Sequence, residues 1–269
     1  MATETLSGPL GELRAASTAG GGTALTTTAV RTVLPLGTKW VSLTPRNFST
    51  AVVAQILTNP WLTVLKTTDG GATFTDYSTE AQDGSTSTSV VLSSLNTLLN
   101  GDALYVGSHI PFSGVAIDVD GTNSTASVTL EVKYRKSDNT WATITPTDGT
   151  ASGGTTLAQD GSVTWTVPAD WITCSLTDTG DSTVVGSNPG GELYWTRWAV
   201  DVALDASVTL DHMLSINRST VYAELVSGQT FEEAVTVGPG GIASVQARTD
   251  AGTASLIVNA STRQNGRFA

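Results

Sequence analysis

The residues of this chain best suited to chemistry are carboxylates in polar loops, and the densest set is residues 118–123 (DVDGTN). Carboxylate and amide oxygens in such a run could bind calcium. The segment nevertheless lacks the full spacing of a calcium loop and its distal bidentate glutamate. We therefore expect a plain Asp-Gly turn there. Residues 178–181 (DTGD) offer similar carboxylate oxygens in another polar stretch.

Nucleophilic catalysis has little support in the sequence. The single cysteine, Cys174, follows an apolar Trp-Ile-Thr segment and is expected to be buried. A catalytic thiol needs a nearby base, and the only histidines are His109 and His212. Neither stands at metal-ligand spacing, and His212 falls on the apolar face of its strand pattern, which favours a hydrogen-bonded core histidine. We predict no catalytic residue, no metal site and no cofactor, although a glycosidase pair of carboxylates depends on spatial separation and stays open.

Five of the seven tryptophans lie between residues 103 and 216. Aromatic faces can stack on carbohydrate, and they also pack cores and anchor protein interfaces. Four of these tryptophans lie in or beside predicted strands, where they could serve either purpose. The candidate interface or glycan-stacking aromatics are therefore Trp141, Trp165, Trp195 and Trp198.

Apolar and polar residues alternate along much of the chain, which is typical of strands with one buried and one solvated face. The pattern is clearest in residues 128–135 (VTLEVKYR) and recurs around Val115, Val163, Trp198 and Leu210. Prolines and glycines separate these runs. We predict an all-β fold, with a β-sandwich or jelly-roll-like main domain and a smaller flanking β-domain formed by N- and C-terminal segments.

Four segments are predicted. They are an N-terminal arm (1–25), the first part of the flanking β-domain (26–87), the β-sandwich (88–223) and a C-terminal β-tail (224–269) that completes the flanking domain. Within the second segment, residues 67–74 (TTDGGATF) resemble the Asp-box of sialidases and other propellers. In that motif the aspartate holds a hairpin turn and the aromatic residue packs beneath it. A single copy does not predict a propeller, whose blades repeat along the chain.

Composition limits the partners. The formal net charge is −11, which repels nucleic acid. The densest basic group is Lys133, Arg135 and Lys136, and its alternation favours a solvated strand face.

One cysteine excludes an intrachain disulfide. The N-terminus has neither the basic nor the apolar region of a signal peptide, and no apolar run reaches membrane-spanning length, so we expect synthesis in a cytoplasm and no membrane partner.

Several segments of the chain resemble a domain of tailed-bacteriophage virion structural proteins. The resemblance spans roughly residues 88–216. Its segments are 102–107 (DALYVG), 111–114 (PFSG), 129–134 (TLEVKY), 139–141 (NTW), 147–150 (TDGT), 161–168 (GSVTWTVP) and 193–198 (LYWTRW). It implies a β-sandwich mounted on a capsid or a tail.

The resemblance leaves the virion component open, and our leading hypothesis is a capsid decoration (cement) protein on the outer surface of the capsid. Its expected partners are the major capsid protein and neighbouring copies of itself, which would make it a homo-oligomer on the particle. It would not be an enzyme. The alternative is a receptor- or glycan-binding module of a tail or fibre, which would display tryptophan side chains in an exposed groove.

Overall fold

The computed structural model describes residues 3–4, 6–7, 12–15, 22–83, 85–93, 95, 101–138, 140–178, 191–216 and 222–262. The chain forms two compact units. Unit 1 combines Met1–Trp61 with Ser219–Ala269, and unit 2 is Leu62–Arg218. Strand makes up 49% of the structure and helix 1%, which confirms the prediction of an all-β, sandwich-like protein.

Unit 1 is built from both ends of the chain. Its N-terminal strands are β1 (Thr3–Glu4), β2 (Leu6–Ser7), β3 (Glu12–Ala15), β4 (Thr23–Leu25), β5 (Val30–Val33), β6 (Trp40–Arg46) and β7 (Ala54–Pro60).

Unit 2 contains the next twelve strands. They are β8 (Thr63–Thr67), β9 (Thr75–Asp76), β10 (Val90–Val91), β11 (Ala103–Ser108), β12 (Gly114–Gly121), β13 (Leu130–Arg135), β14 (Trp141–Ile144), β15 (Thr147–Asp148), β16 (Gly161–Thr164), β17 (Thr173–Cys174), β18 (Leu193–Val200) and β19 (Thr209–Ile216). A short 3-10 helix, Leu176–Asp178, follows β17. The chain then returns to unit 1 through β20 (Ala223–Leu225), β21 (Phe231–Ala234), β22 (Ile242–Thr249) and β23 (Ala254–Ser261).

Two sheets form unit 1. One has the order β1-β5-β22-β7-β20, and the other has the order β2-β3-β23-β6-β21, with β4 also paired to β23. Strands from opposite ends of the sequence are direct neighbours, since Val41 pairs with Ala260 and Thr32 pairs with Val245. The C-terminal strand β23 is held in unit 1 by its apolar face. Its alternate residues are buried in the core cluster between the two sheets. These residues are Ala254, Leu256, Val258 and Ala260.

Unit 2 is a second sandwich. Its five-stranded sheet has the order β10-β19-β12-β16-β15, and its seven-stranded sheet has the order β14-β13-β18-β11-β8-β9, with β17 paired to β18. The main core lies between these sheets and includes Val115, Ile117 and Val119 from the first and Val132 and Trp198 from the second. The seven-stranded sheet also carries apolar residues on its other face, which form a separate buried cluster.

The bounds of the predicted segments differ from the structure, in which the sandwich predicted over 88–223 spans Leu62–Arg218 and the C-terminal part of unit 1 begins at Ser219. Residues 1–25, predicted as an N-terminal arm, contain four short strands that pair within unit 1. The flanking segment predicted to end at residue 87 ends instead at Trp61. The cause is a long-range pairing, because β8 lies antiparallel to β11, with Leu65 opposite Tyr105.

Candidate functional site

Two of the four candidate tryptophans lie in the core of unit 2. Trp165 and Trp198 are 7% and 3% exposed, and their ring centroids are 6.1 Å apart in an edge-on arrangement. The Nε1–H of Trp165 donates to the carbonyl oxygen of Phe112 at 3.0 Å. The Nε1–H of Trp198 donates to Oγ1 of Thr196 at 2.8 Å. Both indoles therefore have their polar atom satisfied within the fold, as buried tryptophans usually do.

Trp195 lies on the opposite face of the seven-stranded sheet and is fully buried. It belongs to the second cluster with Tyr105, Cys174, Leu176 and other apolar residues, which we call the outer cluster. Its Nε1–H donates to the carbonyl oxygen of Cys174 at 3.0 Å. The prediction that Cys174 is buried is confirmed.

Trp141 is the candidate tryptophan with a partly exposed side chain. Its ring lies 6.0 Å from that of Tyr105, and the guanidinium carbon of Arg135 lies 5.9 Å from its centroid, within range of a cation–π contact. A sugar can stack only on a ring that solvent reaches. The stacking hypothesis therefore does not hold for Trp165, Trp195 and Trp198, which pack the two clusters instead.

The basic residues of β13 also depart from expectation. Lys133 is partly exposed and forms an ion pair with Glu131 at 2.9 Å, as on a solvated face. Arg135 is only 1% exposed, so its part of the face is not solvated. The alternation placed both residues correctly on one side of the strand. It gave no indication that Trp141, on the neighbouring strand β14, lies against Arg135.

The Asp-box-like segment forms a well-satisfied turn. Oδ1 of Asp69 accepts hydrogen bonds from the Thr73 backbone N–H at 2.9 Å and from Oγ1 of Thr67 at 2.8 Å. Oδ2 accepts from Oγ1 of Thr73 at 2.6 Å. These donors, those of Thr73 foremost, lower the pKa of Asp69 to about 2. Phe74 packs edge-on against Tyr105 of the outer cluster, so the segment stabilises the fold as the motif does elsewhere.

Residues 118–121 belong to strand β12, so the Asp-Gly turn predicted there is wrong. Gly121 pairs with Thr209 beside a register shift, and a β-carbon at Gly121 would lie 1.8 Å from the Ser207 carbonyl oxygen. The strand can therefore continue through this position only with glycine. Asn123 is buried, and its Nδ2 donates to the Thr156 carbonyl oxygen at 3.1 Å, which makes it a structural residue.

The two histidines are associated with different sheets of unit 2, since His109 directly follows β11 and His212 lies on β19. His212 is buried on β19, but the register shift beside it places it opposite Asp118 and not on the apolar face predicted from the alternation; its Nε2 lies 3.6 Å from Oδ2 of Asp118. Burial lowers the pKa of His109, which favours its neutral form. Across the ranges that the structure describes, no three His, Cys, Asp or Glu side chains are close enough together to hold a metal ion. The DTGD segment extends outside the described residues.

An apolar cavity of about 20 Å³ lies between the sheets of unit 2. Its lining includes Leu104, Ile117, Trp198 and Leu210 and contributes no polar surface. This volume is close to that of a single water molecule, and apolar cavities of this kind stay dry. We interpret it as a packing gap in the core.

The surfaces of the two units differ in charge. Unit 1 has seven basic and six acidic residues, for a net charge of +1, whereas unit 2 has six basic and eighteen acidic residues, for a net charge of −12. Exposed large apolar side chains follow the same division. Among the described residues, unit 1 exposes Leu36, Val52, Tyr222 and Val226, and unit 2 exposes Val202.

No helix in the described part of the chain is both long and apolar enough to cross a membrane. Comparison with known proteins returned no matching family model, no similar curated protein and no similar solved structure.

Proposed function

We propose that the protein is a structural component of a tailed-phage virion, acting as a capsid decoration protein. In this proposal unit 1 attaches the protein to the major capsid protein and to neighbouring copies, and unit 2 is displayed on the particle. The segments that resemble phage virion proteins contain all or most of β11, β13, β15, β16 and β18 of unit 2. These strands come from both sheets of unit 2, in accord with the sandwich that the resemblance implies.

The observation that carries the proposal is the contrast between the two surfaces. A net charge of −12 makes unit 2 soluble and repels both DNA and other copies of the same unit. Unit 1 is nearly neutral and has four large apolar side chains that are at least half exposed, from Tyr222 and Val226 at 52% and 51% to Val52 at 69%. In the proposal these four side chains contribute to the contact surface, because the buried centre of a protein interface is depleted in charged residues.

The proposed mechanism is mechanical. Apolar surface buried between unit 1 and the capsid stabilises the joint by roughly 25 cal/mol per Å². A contact of about 800 Å² on each partner is the usual size for a specific interface. Bound across a joint between capsid subunits, the protein would increase the free energy needed to separate them. No catalytic step is involved.

The alternative of a glycan-binding tail module is less well supported. That function requires exposed aromatic faces, and three of the four candidate tryptophans are buried in the two clusters of unit 2. Of the four candidates, only Trp141 has a partly exposed ring that could contribute to such a platform.

The test is to add purified protein to particles that lack it and to measure bound copies by cryo-electron microscopy. Wild-type protein should occupy the capsid surface and raise the temperature at which the particles release their genome. The double variant Val52→Asp/Tyr222→Asp should bind at least tenfold more weakly. The matched control is Val202→Asp, at the exposed apolar residue of unit 2, and it should bind like wild type. Equal binding of all three proteins, density confined to the tail, or unchanged particle stability would reject the proposal.

A further inference from the structure

Two short strands form an edge of unit 1 that we call the open edge (residues 222–234). Strand β20 is the last strand of one sheet, and β21 is the last strand of the other. Such strands present backbone N–H and C=O groups to a further strand. The rings of Tyr222, directly before β20, and Phe231, at the start of β21, are 5.7 Å apart in an edge-on arrangement. Since Tyr222 is 52% exposed, the open edge displays an aromatic ring to solvent.

The open edge is acidic, although unit 1 as a whole is nearly neutral. Residues 222–241 contain three glutamates, Glu224, Glu232 and Glu233, and neither lysine nor arginine. Glu224 accepts a hydrogen bond from Nε2 of Gln55 at 3.0 Å. The side chains of Glu232 and Glu233 form no ion pair or hydrogen bond within the part of the chain that the structure describes. A partner for this edge should therefore be extended and positively charged.

The chain carries a segment with the complementary chemistry. Residues 263–269 (RQNGRFA), which lie outside the described ranges, contain two arginines, one phenylalanine and no acidic residue. Arginine forms bidentate hydrogen bonds with carboxylates. Arginine and phenylalanine both pack favourably on an aromatic ring, and extended segments add to sheet edges through backbone hydrogen bonds. The segment thus matches the open edge in both charge and aromatic character.

The strand order favours a second copy as the source of this segment. Ser261, at the end of β23, pairs with Trp40, and Trp40 pairs with Ala234, at the end of β21. A segment beside β21 would therefore lie three strand spacings, about 14 Å, from β23. Two residues of extended chain span only about 7 Å. The backbone of Arg263 thus cannot reach the open edge of its own molecule, whereas that of a second copy can.

We propose that residues 263–269 of one copy bind the open edge of a second copy. Arg263 and Arg267 pair with the glutamates, and Phe268 packs beside Tyr222. Exposed ion pairs contribute little individually, so the contact is weak between free molecules and strengthens where many copies are held side by side. The inference deepens the proposed contact between neighbouring copies and rests on that part of the proposed function.

The experiment is sedimentation velocity of the purified full chain, without particles, over a range of concentrations. Wild-type protein should self-associate, and the association should weaken as NaCl is added, because salt screens exposed charges. The edge variant Glu232→Lys/Glu233→Lys and the tail variant Arg263→Glu/Arg267→Glu bring like charges together at the contact. Each should associate at least about tenfold more weakly than wild type.

An equimolar mixture of the two variants tests whether the contact joins different copies. The tail of the edge variant keeps its arginines and meets the original glutamates of the tail variant, and the two reversed sets of charges also match. Association of the mixture should therefore return toward the wild-type level. The control Glu80→Lys/Glu192→Lys makes the same change in net charge as the edge variant, but in unit 2, and should associate like wild type.

Circular dichroism verifies that each variant is folded. The proposal is overturned if wild-type protein stays monomeric at every concentration, if the edge and tail variants associate as wild type does, or if their mixture associates no more strongly than either alone. Binding to the capsid is measured separately on particles, so a failure here is distinct from a failure of the proposed attachment.

Discussion

The indole of Trp195 lies directly over Gly107, its cross-strand partner in the seven-stranded sheet. A β-carbon at Gly107 would lie 2.5 Å from Cε3 of Trp195, well inside van der Waals contact. Both residues are buried, so the ring has little room to move away. Because Gly107 has no side chain, there is room above it for the indole of Trp195, the largest buried side chain of the outer cluster.

We expect Gly107→Ala to lower the free energy of unfolding by about 1–3 kcal/mol, because the added methyl group overpacks the site. Urea denaturation measures this loss. In a Trp195→Leu background the same change should cost much less, since the ring that collides with the methyl group is gone. Additive losses in the double variant would show that the two residues are not coupled.

Thr196 connects two hydrogen bonds inside the sandwich. Its Oγ1 donates to the Val106 carbonyl oxygen at 2.9 Å and accepts from Nε1 of Trp198 at 2.8 Å. Thr196→Val keeps the shape but leaves the indole N–H of Trp198 without an acceptor. We expect a loss of about 1–3 kcal/mol by chemical denaturation. Thr143→Val, at an exposed position of β14, is the control and should change stability by less than about 0.5 kcal/mol.

Asp69 should make stability depend on pH in strongly acidic solution. Its folded-state pKa of about 2 lies below its ordinary value of 3.8. The charged form is therefore favoured in the folded state. Its stabilising contribution is complete above pH 3.8 and is lost as the pH falls through 2. Asp69→Ala should melt below wild type at pH 6, and the two curves should converge near pH 2. A difference that persists unchanged at pH 2 would contradict the assignment.

Each unit has its own hydrophobic core, so core truncations should act locally. Leu43 belongs to the cluster of unit 1 and Leu104 to the main cluster of unit 2. Each change to alanine should cost about 2–5 kcal/mol. By hydrogen exchange and mass spectrometry, Leu43→Ala should speed exchange in β6 and β23 and leave β11 protected. Leu104→Ala should do the reverse. Loss of protection across both units in either variant would show that the cores unfold together.

Local alternation was enough to predict the strands and the fold class. In β12 and β13, Val115, Ile117, Val119 and Val132 are buried as the period of two requires. The turn at Asp69 was also visible, because side-chain acceptors that hold a turn lie within a few residues of the groups they bind. These features depend on neighbours in the sequence.

Features that depend on distant residues were missed. Leu210, His212 and Leu214 share one face in a regular strand, yet the extra residue Asp211 breaks the alternation, and Met213 joins the core between the sheets instead. A period of two cannot reveal an inserted residue without the partner strand. Similarly, the burial of Arg135 depends on Trp141, and the burial of Trp195 depends on the segment around Cys174.

The interleaving of the two units also sets the order in which they can fold during synthesis. Residues 62–218 contain every strand of unit 2, so that unit can form while the C-terminus is still being translated. Strands β5, β6 and β7 leave the ribosome earlier but must wait for β22 and β23, about 200 residues later. At roughly 5–20 residues per second this wait lasts about 10–40 seconds. Strands β5, β6 and β7 are therefore made before unit 2 but reach their full pairing only after it.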